Sequence, residues 1–174
     1  LELNLEEINI NSLILSTIDF LKYEIENNNI NIEIKFDKDN LILRIDERYI
    51  KQSLINIIQN AIDSILEKAE IKNKKDYKKE IQIKLKTIDN YALIIVKDNG
   101  IGIKEDMLPK IFEPYFTTKR HGTGLGLTNV ARIIEAHNGN INIESEYKKG
   151  TKVIIKLPLM QENQKFLKTD LLYG

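Results

Sequence analysis

Residues 92–98 read ALIIVKD and run directly into Asn99-Gly100-Ile101-Gly102, an apolar segment that ends on a carboxylate and then turns through two glycines. The apolar run bounded by turn formers is read as a strand. Before it, EIQIKLKTI (80–88) alternates apolar and polar residues and joins it through a short Asp89-Asn90 turn. Two further strands, NINIES (140–145) and TKVIIKLP (151–158), close the pattern. Upstream, NINIEIKFD (29–37) alternates with the period of a half-buried strand, and LILRID (41–46) is expected to return beside it after an Asp39-Asn40 turn. Helical spacing of apolar residues predicts helices over 7–26, 46–69 and 125–136. Strands interspersed with helices that cannot all be right-handed crossovers imply an α+β fold. It is a two-layer sandwich: a mixed, mostly antiparallel sheet of about five strands with helices on one face, not a doubly wound fold.

The 174 residues suit one domain, with 42% hydrophobic and 30% charged side chains. Twenty-six basic residues balance 26 acidic ones, so net charge provides no general attraction to nucleic acid or an anionic surface. The absence of cysteine excludes disulfides and thiolate metal sites. No run approaches the roughly 20 apolar residues of a membrane helix, and the first residues do not read as a signal peptide. The chain begins on Leu1 rather than Met, as a fragment of a longer protein would. The lysines at 68, 72, 74, 75, 78 and 79 lie among acidic residues with Tyr77 as their only aromatic, which reads as a solvated loop. Residues 161–174 read as a polar tail.

Five of the eight glycines fall between positions 100 and 126, where backbone must turn sharply or approach a ligand closely. Asp98, at a strand end before Gly100 and Gly102, can accept a hydrogen bond from a ligand's exocyclic amine. Such a charge-assisted bond contributes about 1.5–3 kcal/mol. Asp-Asn-Gly is also a favoured hairpin turn. Asn56 and Asn60 stand four apart on one helical face. They are either two amides on a solvated face or hard oxygen ligands suited to magnesium, which takes one or two protein ligands and keeps waters and phosphates. Gly122-Thr123-Gly124-Leu125-Gly126-Leu127 opens a helix, where free N–H groups and the dipole suit phosphate. It is neither a P-loop nor a dinucleotide fingerprint, since no Gly-Lys-Ser/Thr follows and no strand precedes it. Between these motifs lies IFEPYFTTK (111–119), which packs Phe112, Tyr115 and Phe116 into five positions and ends on Lys119, within reach of a terminal phosphate.

In this order and spacing, the motifs closely resemble the catalytic domain of sensor histidine kinases, part of the ATPase superfamily that includes DNA gyrase, heat-shock chaperones and mismatch-repair proteins. The resemblance spans about residues 1–160. It implies a Bergerat-type ATP-binding fold with ATP and magnesium as cofactors. Asn56 and Asn60 match the N box, with Asn60 the magnesium ligand. Asp98 matches the adenine-reading aspartate, Gly100 and Gly102 shape the pocket, and Thr151 lies at its back. Residues 103–121 match a mobile lid over ATP, with Ile103, Phe112, Thr118 and Lys119 lining the nucleotide. Gly122, Thr123, Gly124, Leu125, Gly126 and Leu127 match the phosphate loop. Asn56, Asn60 and Lys119 form the implied catalytic set. Asp63 stands where many members carry a basic residue, and Tyr115 where Phe is usual.

Hydrolysing members of the superfamily place a glutamate four residues before the N-box asparagine. Here that position is Asn56, and an amide cannot take a proton from water at neutral pH. The expected activity is phosphoryl transfer to a histidine on a dimerisation domain outside this sequence, with a response regulator served indirectly. The resemblance further implies a cytoplasmic domain, a homodimeric parent, a monomeric fragment and no nucleic-acid partner. Neither His121, in the lid, nor His137, at a helix end, has the phosphoacceptor context. A serine kinase of the anti-sigma-factor type and a signalling module without phosphotransfer are the alternatives.

Overall fold

In the computed structural model, residues 1–71, 76–114, 116 and 126–160 are described. The chain runs β1 (Glu6–Asn9), α1 (Ile10–Phe20), α2 (Lys22–Asn27), β2 (Asn31–Phe36), β3 (Ile42–Ile45), α3 (Glu47–Ile71), β4 (Glu80–Ile88), β5 (Tyr91–Asp98), α4 (Gly126–Ala136), β6 (Asn140–Glu146) and β7 (Gly150–Pro158), with a 3₁₀ turn at Leu108–Lys110. Five strands form one sheet in the order β2-β4-β5-β7-β6. β2 lies parallel to β4, and the other neighbours are antiparallel.

The alternation in β4, β5 and β7 has a direct consequence. Ile81, Ile83 and Leu85 share one face with Ala92, Ile94, Val96, Val153, Ile155 and Leu157, and all are buried. Against that face pack the apolar stripe of α3 (Ile50, Leu54, Ile57, Ile58, Ala61, Ile62 and Ile65) and Val130, Ile133 and Ile134 of α4. Each large aliphatic side chain removed from water contributes roughly 1.5–3 kcal/mol, so this layer contact holds the domain together. The opposite sheet face carries lysines: Lys152 meets Glu144 at 4.0 Å, and Lys156 stands 5.6 Å from the Tyr91 ring centre. The two-layer α/β sandwich with a mixed five-strand sheet therefore matches the fold class read from the sequence.

Three expectations need correction. The helix expected over 7–26 begins as strand β1 and then breaks into α1 and α2 at Leu21. The Thr17 hydroxyl donates to the Leu13 carbonyl at 2.8 Å, a back-bond that bends helices, and Leu21 leaves helical geometry (φ −97, ψ 6) with its side chain buried. Secondly, β3 does not return beside β2; it pairs antiparallel with β1, and β2 pairs with β4. The buried amide of Asn11 redirects the chain by donating to the Lys38 carbonyl at 2.6 Å and accepting from the Leu41 N–H at 2.9 Å. The segment after β2 is thereby tied to α1. Thirdly, the lysine-rich stretch is not wholly a solvated loop. α3 continues to Ile71, Lys68 is only 8% exposed, and Tyr77 packs partly against the core. Lys72, Lys74 and Lys75 lie outside the described residues.

Candidate functional site

α3 is capped at its start by Asp46, whose Oδ1 accepts from the Tyr49 N–H at 3.2 Å. From there it runs beneath the sheet, presenting Asn56, Asn60, Ser64 and Lys68 at four-residue steps on one face. Asn56 and Asn60 are half-buried. Among the described residues, no three His, Cys, Asp or Glu side chains cluster as a metal cage. A helix face offering an amide oxygen fits an ion held mainly by phosphate and water, as magnesium is.

The end of β5 is seated directly on this helix. The Ile101 N–H donates to the Ser64 carbonyl at 3.0 Å. A Cβ at Gly100 would collide with the Ser64 hydroxyl and stand 2.6 Å from the Ser64 carbonyl carbon and 2.7 Å from the Ile65 nitrogen. Glycine is therefore required for close approach. At Gly102 the requirement is conformational as well: φ is 71°, and a Cβ would meet the Glu146 carbonyl.

Asp98 is 5% exposed and points to the helix side of β5. Burial pushes its pKa up to about 7, against the lowering effects of hydrogen bonds from the Gly100 and Thr151 backbone and the Ser64 side chain, and of the Lys68 charge. The Gly100 N–H reaches Oδ1 at 2.8 Å. Thr151 is the cross-strand partner of Asp98 on β7. Its Oγ1 lies 2.8 Å from the Ser145 Oγ, which donates to the Gly150 carbonyl at 3.0 Å and accepts from the Ile103 N–H at 2.8 Å. Because Ser145 has one proton and spends it on Gly150, the Thr151 hydroxyl donates to Ser145. Asp98, Gly100, Gly102, Ile103 and Thr151 are thus brought to one corner, where α3 meets the ends of β5 and the β6–β7 turn. Ser64 and Ser145 belong to the same corner but were not singled out. Ser64 carries the four-residue step from Asn60 that should have raised it, whereas Ser145 acquires its place only by cross-strand register.

Phe112 is half-buried, and its carbonyl accepts from the Thr128 hydroxyl at 3.0 Å, tying the loop after the glycines to the first turn of α4. Gly126 and Leu127 open α4, and a Cβ on Gly126 would meet no atom of the described residues within 4 Å. Tyr115, Thr118, Lys119, His121, Gly122, Thr123, Gly124 and Leu125 lie outside the described residues. His137 is buried, with Nε2 accepting from the Asp46 N–H at 3.0 Å and Nδ1 against the Ile133 carbonyl at 2.7 Å. Nε2 thereby joins the end of α4 to the start of α3, while Nδ1 is held by the last turn of α4 itself. An open depression beside Asn4, Asp46, Arg48 and Lys51 lies at that same start, away from Asp98.

The family model described as Histidine kinase-, DNA gyrase B-, and HSP90-like ATPase matches residues 45–161. Sporulation kinase E of Bacillus subtilis (strain 168) is 36% identical over 157 residues, covering 90% of this chain and 20% of that protein. Sensor histidine kinase ZraS of Salmonella typhimurium is 34% identical over 164 residues, covering 93% of this chain and 33% of that protein. The chain therefore spans a fifth to a third of these two relatives' length. Among solved structures, the nucleotide-free catalytic domain of the histidine kinase ThkA superposes with a TM-score of 0.77 at 32% identity, covering 90% of this chain and 97% of that one.

Proposed function

Because the chain belongs to the histidine kinase-, DNA gyrase B- and HSP90-like ATPase family and has the fold of a histidine kinase catalytic domain, we propose that it presents MgATP to a histidine on a dimerisation domain outside this sequence. The observation that carries this reading is the buried Asp98 carboxyl, set beside Thr151 at the end of β5 and against the Asn56–Asn60–Ser64 face of α3. A buried carboxyl at a strand end, facing an amide-bearing helix, is suited to a base on one side and phosphates on the other.

In this reading Asp98 accepts from the adenine amine, and Thr151, Gly100 and Gly102 shape the base pocket. Asn60 holds magnesium through its amide oxygen, with Asn56 beside it. Lys119 and the Gly122–Leu127 backbone, at the positive end of α4, hold the phosphates. Magnesium, when bound, supplies charge neutralisation for the terminal phosphates. Residues 103–121 act as a lid, residues 1–160 form the domain, and 161–174 form a tail. The incoming imidazole nitrogen forms the N–P bond as the bond to the β,γ-bridging oxygen breaks; ADP leaves and the imidazole proton passes to solvent. Such transfer depends on positioning and charge stabilisation more than on covalent help from the protein. With Asn56 in place of a glutamate base, water is a poor competitor for the phosphoryl group. The parent protein works as a homodimer that serves a response regulator, with this domain in the cytoplasm and monomeric when isolated. Among the described residues no helix is long and apolar enough to cross a membrane.

Radiolabelled ATP added to the domain together with its upstream region tests the transfer. Acid-labile, base-stable label on the upstream piece is expected, and label that survives acid would refute histidine as the acceptor. Asn60→Ala is expected to weaken ATP binding about tenfold in magnesium, the size of one lost ligand contact of roughly 1.4 kcal/mol, and little in EDTA. Equal losses in calorimetric titrations with and without the metal would remove Asn60 as its ligand.

A further inference from the structure

One turn of α3 beyond Ser64, Lys68 is buried near the carboxyl of Asp98. Its Nζ donates to the backbone carbonyl of Asn99 at 3.0 Å and stands 4.9 Å from the centre of the Tyr77 ring. The Tyr77 hydroxyl donates to the same carbonyl at 2.7 Å. The side chain of Asn99 completes the arrangement: Oδ1 accepts from the Glu80 N–H at 2.9 Å, and Nδ2 donates to the Lys78 carbonyl at 2.6 Å. The residue between Asp98 and Gly100 is thereby fixed from α3, from the segment preceding β4 and from β4 itself. Maintaining a half-buried tyrosine and a buried ammonium on one carbonyl is costly unless the geometry they hold matters.

We propose that Lys68 and Tyr77 are positioning residues for base recognition: together they hold the Asn99 carbonyl and so the direction of the Asp98 carboxyl, with the Lys68 ammonium as the cation set beside it. This rests on the reading of Asp98 as the group that meets adenine. The surroundings of Asp98 support an electrostatic role for Lys68 in particular. Among the described residues, α3 turns Ser64 and Lys68 toward the carboxyl, the segment before β4 turns Tyr77, β4 places Ile81 opposite it and β7 places Thr151. Lys68 is the one cation among these. Tyr77 stays protonated, because burial and then the Asp98 charge push its pKa upward, so its hydroxyl remains a donor.

The test measures affinity for ATP and for purine riboside triphosphate, which lacks the amine, from pH 5.5 to 9.5. Their ratio cancels the titration of the triphosphate itself. In the native chain the ratio should rise with pH through about 7, where Asp98 ionises. Lys68→Met removes the charge that favours ionisation. The rise should move to higher pH, with the ATP preference at pH 7 reduced severalfold and recovered at alkaline pH. Lys68→Arg should restore the native profile. Tyr77→Phe, which deletes one hydroxyl, should lower the ratio severalfold at every pH and leave the midpoint in place. A native profile in both Lys68→Met and Tyr77→Phe would overturn the proposal, as would an equal loss for both nucleotides in each variant. Where Lys68→Met does not fold, Tyr77→Phe and Lys68→Arg decide alone. Asp98→Asn in the same series separates the two readings: no change there sinks the assignment of Asp98, whereas a lost ATP preference beside native-like Lys68 and Tyr77 variants sinks the positioning role only.

Discussion

Asp98→Asn should lower ATP affinity about 10- to 100-fold at pH 8 while the empty domain becomes more stable. The loss in affinity follows from replacing a charged acceptor, whose bond to an amine contributes about 1.5–3 kcal/mol, with a neutral amide. The gain in stability comes from the direction of the pKa shift. Burial, opposed by the Gly100, Thr151 and Ser64 hydrogen bonds and by Lys68, leaves Asp98 titrating at about 7 in the folded chain rather than at 3.8. Between those values the folded state keeps a proton that the unfolded chain has released, so stability falls as pH rises through that window. At 1.36 kcal/mol per unit the ionised carboxyl costs the empty fold about 4 kcal/mol by pH 8. Asparagine avoids that cost, so the variant's melting temperature should exceed the native one at pH 8 and approach it near pH 4. Parallel calorimetric titration and thermal melts check both parts. A variant that melts lower at pH 8, or binds ATP as the native chain does, contradicts this account.

Gly100→Ala should be the most damaging single-methyl change at this corner. The added carbon would stand 2.6 Å and 2.7 Å from backbone atoms of Ser64 and Ile65, and helix backbone cannot yield as a flexible side chain can. Overpacking of this kind costs about 3 kcal/mol, which in a domain of this size lowers the melting temperature by roughly 6–12 °C. Relief requires β5 to separate from α3, so the Asp98–Thr151 corner should lose ATP even where the variant remains folded. The same change at Gly126, at the first position of α4, meets no atom of the described residues within 4 Å and should leave the melting temperature unchanged or slightly raised. If the two variants melt alike, the seating of β5 on α3 is not as described.

These two glycines illustrate how far pattern carries. Both were conspicuous in the sequence because five of eight glycines crowd into one region, yet nothing in the letters singles out the one pressed against the α3 backbone. The same holds for Lys68. Within a run of lysines it reads as a solvated charge, and its burial depends on Tyr77 folding back over the end of α3. Ser145 enters the site only because β6 and β7 pair in the register that sets it opposite Thr151. The early helix was misread for a related reason. Apolar residues at helical spacing over 7–26 satisfied the periodicity, but Asn11 and Thr17 redirect the backbone through bonds to partners that spacing does not reveal.

By itself the sequence determined the layer architecture, since period-two and period-3.6 patterns decide which side of each element is apolar and hence what must be covered. It also determined the ordered set of motifs, from Asn56 through Asp98 to the glycines, because those residue types are needed for amide ligation, base recognition and close backbone approach. Tertiary structure alone decided which strand lies beside which, that Asp98 is buried deeply enough to titrate near neutrality, and that Ser64, Lys68 and Tyr77 surround it. Burial and charge proximity are properties of distances between segments far apart in the chain, and hydrophobic pattern specifies faces, not those distances.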